Sequence, residues 1–187
     1  MRAWGRDDLD VLLAAAAALP AGGPCVDVDD VAFIPPGRMP ERLAEAADAP
    51  GLSVDLTVRC ILDSLAAAYA RTVHEAAALA GTTVEVLHVV GGGSQNALVC
   101  QLTADAAGLP VVAGPVEATA LGNNLVQAMA FGEVGSLAQL RAVVQRATTV
   151  RTFEPAGNGA VWDDASGRLG RLLAASPGDV VGERGSR

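Results

Sequence analysis

Lysine is absent from this 187-residue chain, and all 13 of its basic residues are arginine. That absence excludes a P-loop, in which a lysine reaches the β- and γ-phosphates of a nucleotide. Acids outnumber arginines and leave a net charge of -8, so there is no basic stripe for a nucleic acid or an anionic membrane. A small anionic ligand stays open, because backbone amides can hold one without lysine. Aromatic residues make up 3% of the sequence, too few and too scattered for a base-stacking platform. The three cysteines, Cys25, Cys60 and Cys100, show no C-x-x-C spacing, which argues against a disulfide framework and a zinc site. No apolar run reaches the length of a membrane span. The segment LLAAAAALPAGG at 12–23 imitates a signal peptide, but Asp7, Asp8 and Asp10 stand where a secretory leader is basic and free of acids. A cytoplasmic protein is expected.

What the chain has is apolar content, 51% of residues, enough to bury the core of one domain. Asp7 and Asp8 favour a helix start, Leu9, Leu12, Leu13 and Ala16 share one face, and Pro20 with Gly22 ends that helix. Proline and glycine dominate 20–53, which reads as loop with an extended piece at 31–34 and a short helix from Glu41. In LTVRCILDSLAAAYARTVHEAAALAG, residues Val58, Ile61, Leu62, Leu65, Tyr69, Val73 and Ala76 recur at helical spacing, with Asp55 as expected N-cap and Gly81 as the stop. VEVLHVV at 84–90 reads as a strand buried on both faces. SQNALVCQLTADAAG follows as a helix capped by Ser94 or a neighbour, and LPVVAG at 109–114 as a second strand, making a parallel right-handed unit. Two more helices are expected over 117–131 and 136–147, the latter begun by Ser136. From Gly167 a frayed helix is expected, with 176–187 a disordered tail.

Between the first strand and the crossover helix lies GGGSQN. One glycine there would only turn the chain. Three in a row, at the carboxyl end of a parallel strand, also let a flat ligand lie against the backbone where α/β folds bind nucleotides. A dinucleotide fingerprint would use Gly91 and Gly93, but its third position is Asn96. Glu117 lies at a suitable distance to be its ribose ligand, and equally could favour its own helix start.

Other chemistry-bearing residues read as structural. Asp63 and Glu75 fall on the polar face of the long helix, and Asp105 in the last turns of the crossover helix; no acid–base pair is visible. His74 and His88 lack neighbours at metal-ligand spacing and read as structural histidines. Tyr69, Trp4 and Trp162 read as packing residues, and Asn123 and Asn124 as part of a tight turn or helix contact beside Gly122.

The motifs RCILDSLAAAYARTVHE, LHVVGGGSQNALVCQLTADAAGLPVVAGPVEATALGN and the following LVQAM resemble the C-terminal lobe of the rhamnulokinases, a branch of the FGGY carbohydrate kinases of the actin and hexokinase type. The resemblance covers most of the chain. It implies an α/β fold: part of an actin-like (ribonuclease H-like) ATPase lobe, a short parallel sheet with flanking helices, residues 1–175 forming the nucleotide-binding lobe with its first strands missing. It implies transfer of the γ-phosphoryl of MgATP to a ketose, most simply L-rhamnulose to L-rhamnulose 1-phosphate. In this sequence Gly91, Gly92 and Gly93 would line the adenine and ribose, Asn96 would turn its amide to the nucleotide, and Gln95 is a looser member. No catalytic residue and no metal ligand is expected here, because the base and the Mg2+ site of such kinases belong to portions that this sequence does not match. The sugar would be bound through the missing lobe.

Two alternatives remain: a stand-alone nucleotide-binding module, pairing with a separate N-terminal lobe, and a Rossmann-type dinucleotide binder. With few strands, the first strand is expected to leave an open edge and apolar surface, so self-association or only marginal stability of the isolated chain is expected.

Overall fold

The computed structural model describes residues 8–175; Trp4, Asp7 and the tail expected at 176–187 lie outside them. Helix α1 (Leu9–Ala17) starts where the Asp8 carboxylate accepts hydrogen bonds from the amides of Asp10 and Val11. Helix α2 (Met39–Ala46) follows the loop, and helix α3 (Val54–Ala80) runs for 27 residues. Its N-cap is Ser53, whose hydroxyl accepts from the Leu56 amide, rather than the expected Asp55, which lies in the first turn. Gly81 stops α3 in the left-handed conformation, as its sequence position indicates.

Strand β1 (Leu87–Val89), helix α4 (Ala97–Ala107) and strand β2 (Val111–Ala113) form the parallel unit. Helices α5 (Ala118–Ala130) and α6 (Leu137–Ala147) come next, α6 capped by Ser136. A third strand, β3 (Arg151–Phe153), then pairs antiparallel with β2, and helix α7 (Gly159–Ala175) follows. Among the described residues the fold is therefore α/β, seven helices and a mixed three-stranded sheet in the order β1-β2-β3. The expected all-parallel sheet is corrected by β3, whose three residues carry too short a pattern to be read.

Strand register determines which residues face the helices. Leu87, Val111 and Phe153 stand in one row, and Val89, Ala113 and Arg151 in another. Successive side chains alternate across a sheet, so both rows share a face, and their apolar members pack with Cys100 and Ala104 of α4. His88 points the other way and is exposed. The expectation that this strand is buried on both faces is thus corrected: β1 is the sheet's edge, half covered. The extended piece expected at 31–34 is a 3-10 turn, Val31–Phe33, because the Asp30 carboxylate captures the Ala32 amide.

The main core lies away from the sheet, where Leu12 and Ala16 of α1, Val58, Leu62 and Ala66 of α3, Leu102 of α4, and Trp162 and Ala165 of α7 pack together. Trp162 is a packing residue, as expected, but it belongs to a helix that begins at Gly159, well before Gly167. Asp63 does not lie on a polar face. It is fully buried, accepts from Arg59 Nε at 2.9 Å, and receives the Gly22 amide at 3.0 Å. Arg59 Nη1 also donates to the carbonyls of Ala16 at 3.1 Å and Leu19 at 2.7 Å, tying the end of α1 to α3. Burial raises the Asp63 carboxyl above its ordinary value, against the pull of Arg59.

Candidate nucleotide site

The glycine segment leaves the carboxyl end of β1 and turns through a short 3-10 helix, Gly92–Gln95, into α4. Gly91 adopts φ 76° and ψ -163°, a conformation open in practice to glycine alone. Its amide donates to the Pro115 carbonyl at 3.1 Å, and the Gly114 amide donates to the Val89 carbonyl at 2.8 Å, so the ends of β1 and β2 are fastened side by side. The Gly114–Pro115 peptide bond is cis.

Gly92 and Gly93 differ from Gly91, because neither has a positive φ. A Cβ added to Gly92 would meet nothing within 4 Å, and one on Gly93 only the Val89 Cγ1 at 3.9 Å. Both residues are exposed. Folding therefore accounts for the first of the three glycines and leaves the other two unexplained by any neighbour in the chain.

Ser94 is buried and its hydroxyl donates to the Gly91 carbonyl at 2.7 Å, closing the turn from below. The sequence left the cap of the next helix between Ser94 and its neighbours; it is Asn96, whose Oδ1 accepts from the Val99 amide at 3.1 Å. This bond uses the oxygen of Asn96 and leaves its amide NH2 as the group that can face a ligand. Gln95 is exposed on the same turn. The structure thus places Gly91, Gly92, Gly93, Gln95 and Asn96 on one turn between β1 and α4, with Gly92, Gly93 and Gln95 exposed.

The remaining candidates are elsewhere. Glu117 is exposed at the start of α5 and makes no capping bond there. Asp105 receives the Gln101 side chain at 2.8 Å and the Ala156 amide at 2.8 Å, fixing the segment before α7. Glu75 is exposed on α3, and His74 Nε2 lies 3.1 Å from the Ala107 carbonyl, a structural contact. All three cysteines are free and buried, and burial raises each thiol, Cys60 to about 11, so none is a ready nucleophile at neutral pH.

Sequence reasoning missed one residue at this site. Arg151, at the start of β3, donates from Nη2 to the carbonyls of Ser94 at 3.1 Å and Gln95 at 3.4 Å. Its guanidinium also lies 5.4 Å from the centre of the Phe153 ring. The only signal was an arginine in an otherwise apolar-to-polar RTF triplet, 57 residues from Ser94 in the chain.

Comparison with known proteins gives the family. Residues 2–131 match the model of the FGGY family of carbohydrate kinases, C-terminal domain. The chain belongs to that family. Rhamnulokinase from Klebsiella pneumoniae (strain 342) is 44% identical over 152 residues, covering 79% of this chain and 31% of that protein. Rhamnulokinase from Bacteroides thetaiotaomicron is 38% identical over 166 residues, covering 87% of this chain and 34% of that protein. The chain is a rhamnulokinase-like FGGY C-terminal domain and spans about a third of the length of these curated relatives. Among the described residues, no helix is long and apolar enough to cross a membrane.

Proposed function

We propose that this chain supplies the adenosine-binding part of an ATP-dependent carbohydrate kinase, with L-rhamnulose as the sugar and L-rhamnulose 1-phosphate as the product. The observation that carries the reading is the contrast within the glycine triplet. Gly91 is demanded by its backbone, whereas Gly92 and Gly93 are free of steric demands from the chain and lie open to solvent. A bare, exposed backbone fixed beside a strand end is suited to a flat ring, which a single added side chain would lift off. Gly91, Gly92 and Gly93 form the bed for adenine and ribose, the Asn96 NH2 reaches the nucleoside, and Gln95 borders it. MgATP, when bound, supplies the transferred phosphoryl group and the charge neutralisation that phosphoryl transfer needs.

The names of the relatives support the sugar and the reaction. In this reading the actin-like lobe is completed, and the general base, Mg2+ ligands and sugar contacts are supplied, by polypeptide outside these residues. The isolated chain is therefore expected to bind nucleotide without phosphorylating sugar. Three free, buried thiols accord with a reducing cytoplasm. Titration of the chain with ADP and NAD tests the reading: saturable binding of ADP, with NAD weaker, is expected. Tighter binding of NAD, or no binding of ADP, would overturn it.

A further inference from the structure

The glycine turn has flexible chemistry but a fixed position, and β3 holds it. Arg151 shares its sheet row with Val89 and Ala113, on the face toward α4, which directs its side chain to the turn that follows β1. There one Nη2 group bonds to two successive carbonyls, Ser94 and Gln95, on the far side of the turn from the Gly91 entry. Among the described residues no carboxylate pairs with Arg151, so its contacts at this site are these carbonyls and the Phe153 ring. The residue also lies beyond the segment that matches the family model, which ends at 131.

We propose that Arg151 is a positioning residue for the nucleotide site: it clamps the carbonyl side of the Gly92–Gln95 turn and so sets the height and tilt of the glycine bed. The proposal rests on the adenosine-binding reading. Glycine loses more conformational freedom on ordering than any other residue, and this turn has two glycines, Gly92 with nothing within 4 Å of an added Cβ and Gly93 held by a long 3.9 Å contact from the Cys100 thiol to its carbonyl. A charge-assisted tether at the carbonyl end removes that freedom before the ligand arrives, which raises affinity without touching the ligand.

The expected effect of Arg151→Ala is an approximately tenfold loss of affinity, the size of one hydrogen bond to a charged group, and equal for adenosine and for ADP. Arg151→Lys should recover part of it, because lysine keeps the charge and N–H donors but lacks the planar guanidinium that holds one fixed geometry and stacks over the Phe153 ring. Calorimetric titration of the full chain reads both. Hydrogen exchange of the ligand-free chain provides the second measurement. In Arg151→Ala the amides of Ser94 and Asn96, bonded to Gly91 and Gly93 carbonyls at 3.1 and 3.2 Å, should exchange faster. Those of Leu87 and Gly114, in the strand pairing, should not change. Unchanged exchange at Ser94 and Asn96 would overturn the clamp. Loss of ADP affinity with adenosine unaffected would also overturn it, since that pattern marks a direct phosphate contact. If the unaltered chain bound neither ligand, the adenosine-binding reading would fail, and the exchange comparison alone would decide the clamp.

Discussion

Replacing Arg59 by methionine removes the cation that lies beside a fully buried carboxylate. Arg59 makes three bonds at once: Nε to Asp63 at 2.9 Å, and Nη1 to the Ala16 and Leu19 carbonyls at 3.1 and 2.7 Å. Taking one partner from a buried pair costs about 3–5 kcal/mol, because the other charge is left without compensation. Asp63 is already raised above 3.8 in the native chain, by burial first. Its proton is thus held more tightly when folded, so this contribution to stability is complete below the unfolded value and lost as pH rises through the native one. Without Arg59 the native value rises further. The Arg59→Met penalty should therefore be largest at neutral pH and shrink as acid protonates Asp63. Adding Asp63→Leu removes the stranded charge and should restore part of the loss. It cannot restore all, since the Leu19 carbonyl and the Gly22 amide, each half-buried, lose their partners, at about 1 kcal/mol or more apiece. Urea unfolding followed by circular dichroism between pH 4 and 8, pH values chosen to span about the carboxylate and neutral ranges, measures all three chains. A single variant as stable as the parent at neutral pH would refute the reasoning, as would a double variant with full parental stability.

Two further outcomes are expected of the glycine turn and of the sheet edge. Gly91→Ala forces a side chain into a backbone conformation that costs of order 1–3 kcal/mol, and should lower the midpoint of thermal unfolding, whereas Gly92→Ala should leave the melt unchanged and weaken ADP binding. Equal melts for Gly91→Ala and Gly92→Ala would contradict the assignment of different roles. The second outcome concerns β1. Leu87 and Gly91 amides and the Val89 carbonyl are used in pairing with the β2 side, so by alternation the backbone groups of His88 and Val90 face the open edge. Beside that edge lies a groove of about 560 Å³ lined by Tyr69, Val73, Leu87, Val89, Val99 and Thr103 among others. Sedimentation velocity should show concentration-dependent association that Val90→Lys reduces; a monomer at all concentrations would rule this out.

The elements with strong period or punctuation were legible. Helix α3 carried apolar residues at helical spacing and a glycine stop, and the β1–α4–β2 unit was marked by β-branched runs flanking the glycines. The candidate site rests on local signals too, since the glycines and Asn96 are adjacent in sequence and lie on one turn before α4. The misses share a different cause. Strand β3 has three residues, and what makes it a strand is pairing with β2, a partner far away in sequence. Asp63 looked like a surface acid, since its burial depends on Arg59 one turn earlier and on Gly22 from a distant loop. Arg151 was invisible as a site residue because its partners are carbonyls, which every residue has.

The most direct test of the central claim is amide mapping by NMR of the 15N-labelled chain during addition of adenosine. Saturable shifts centred on Gly92, Gly93 and the Asn96 side-chain amide, with the α1–α3 core unmoved, are expected. Saturable shifts elsewhere with this turn silent, or none at all, would contradict the claim that the glycine triplet is a nucleoside bed.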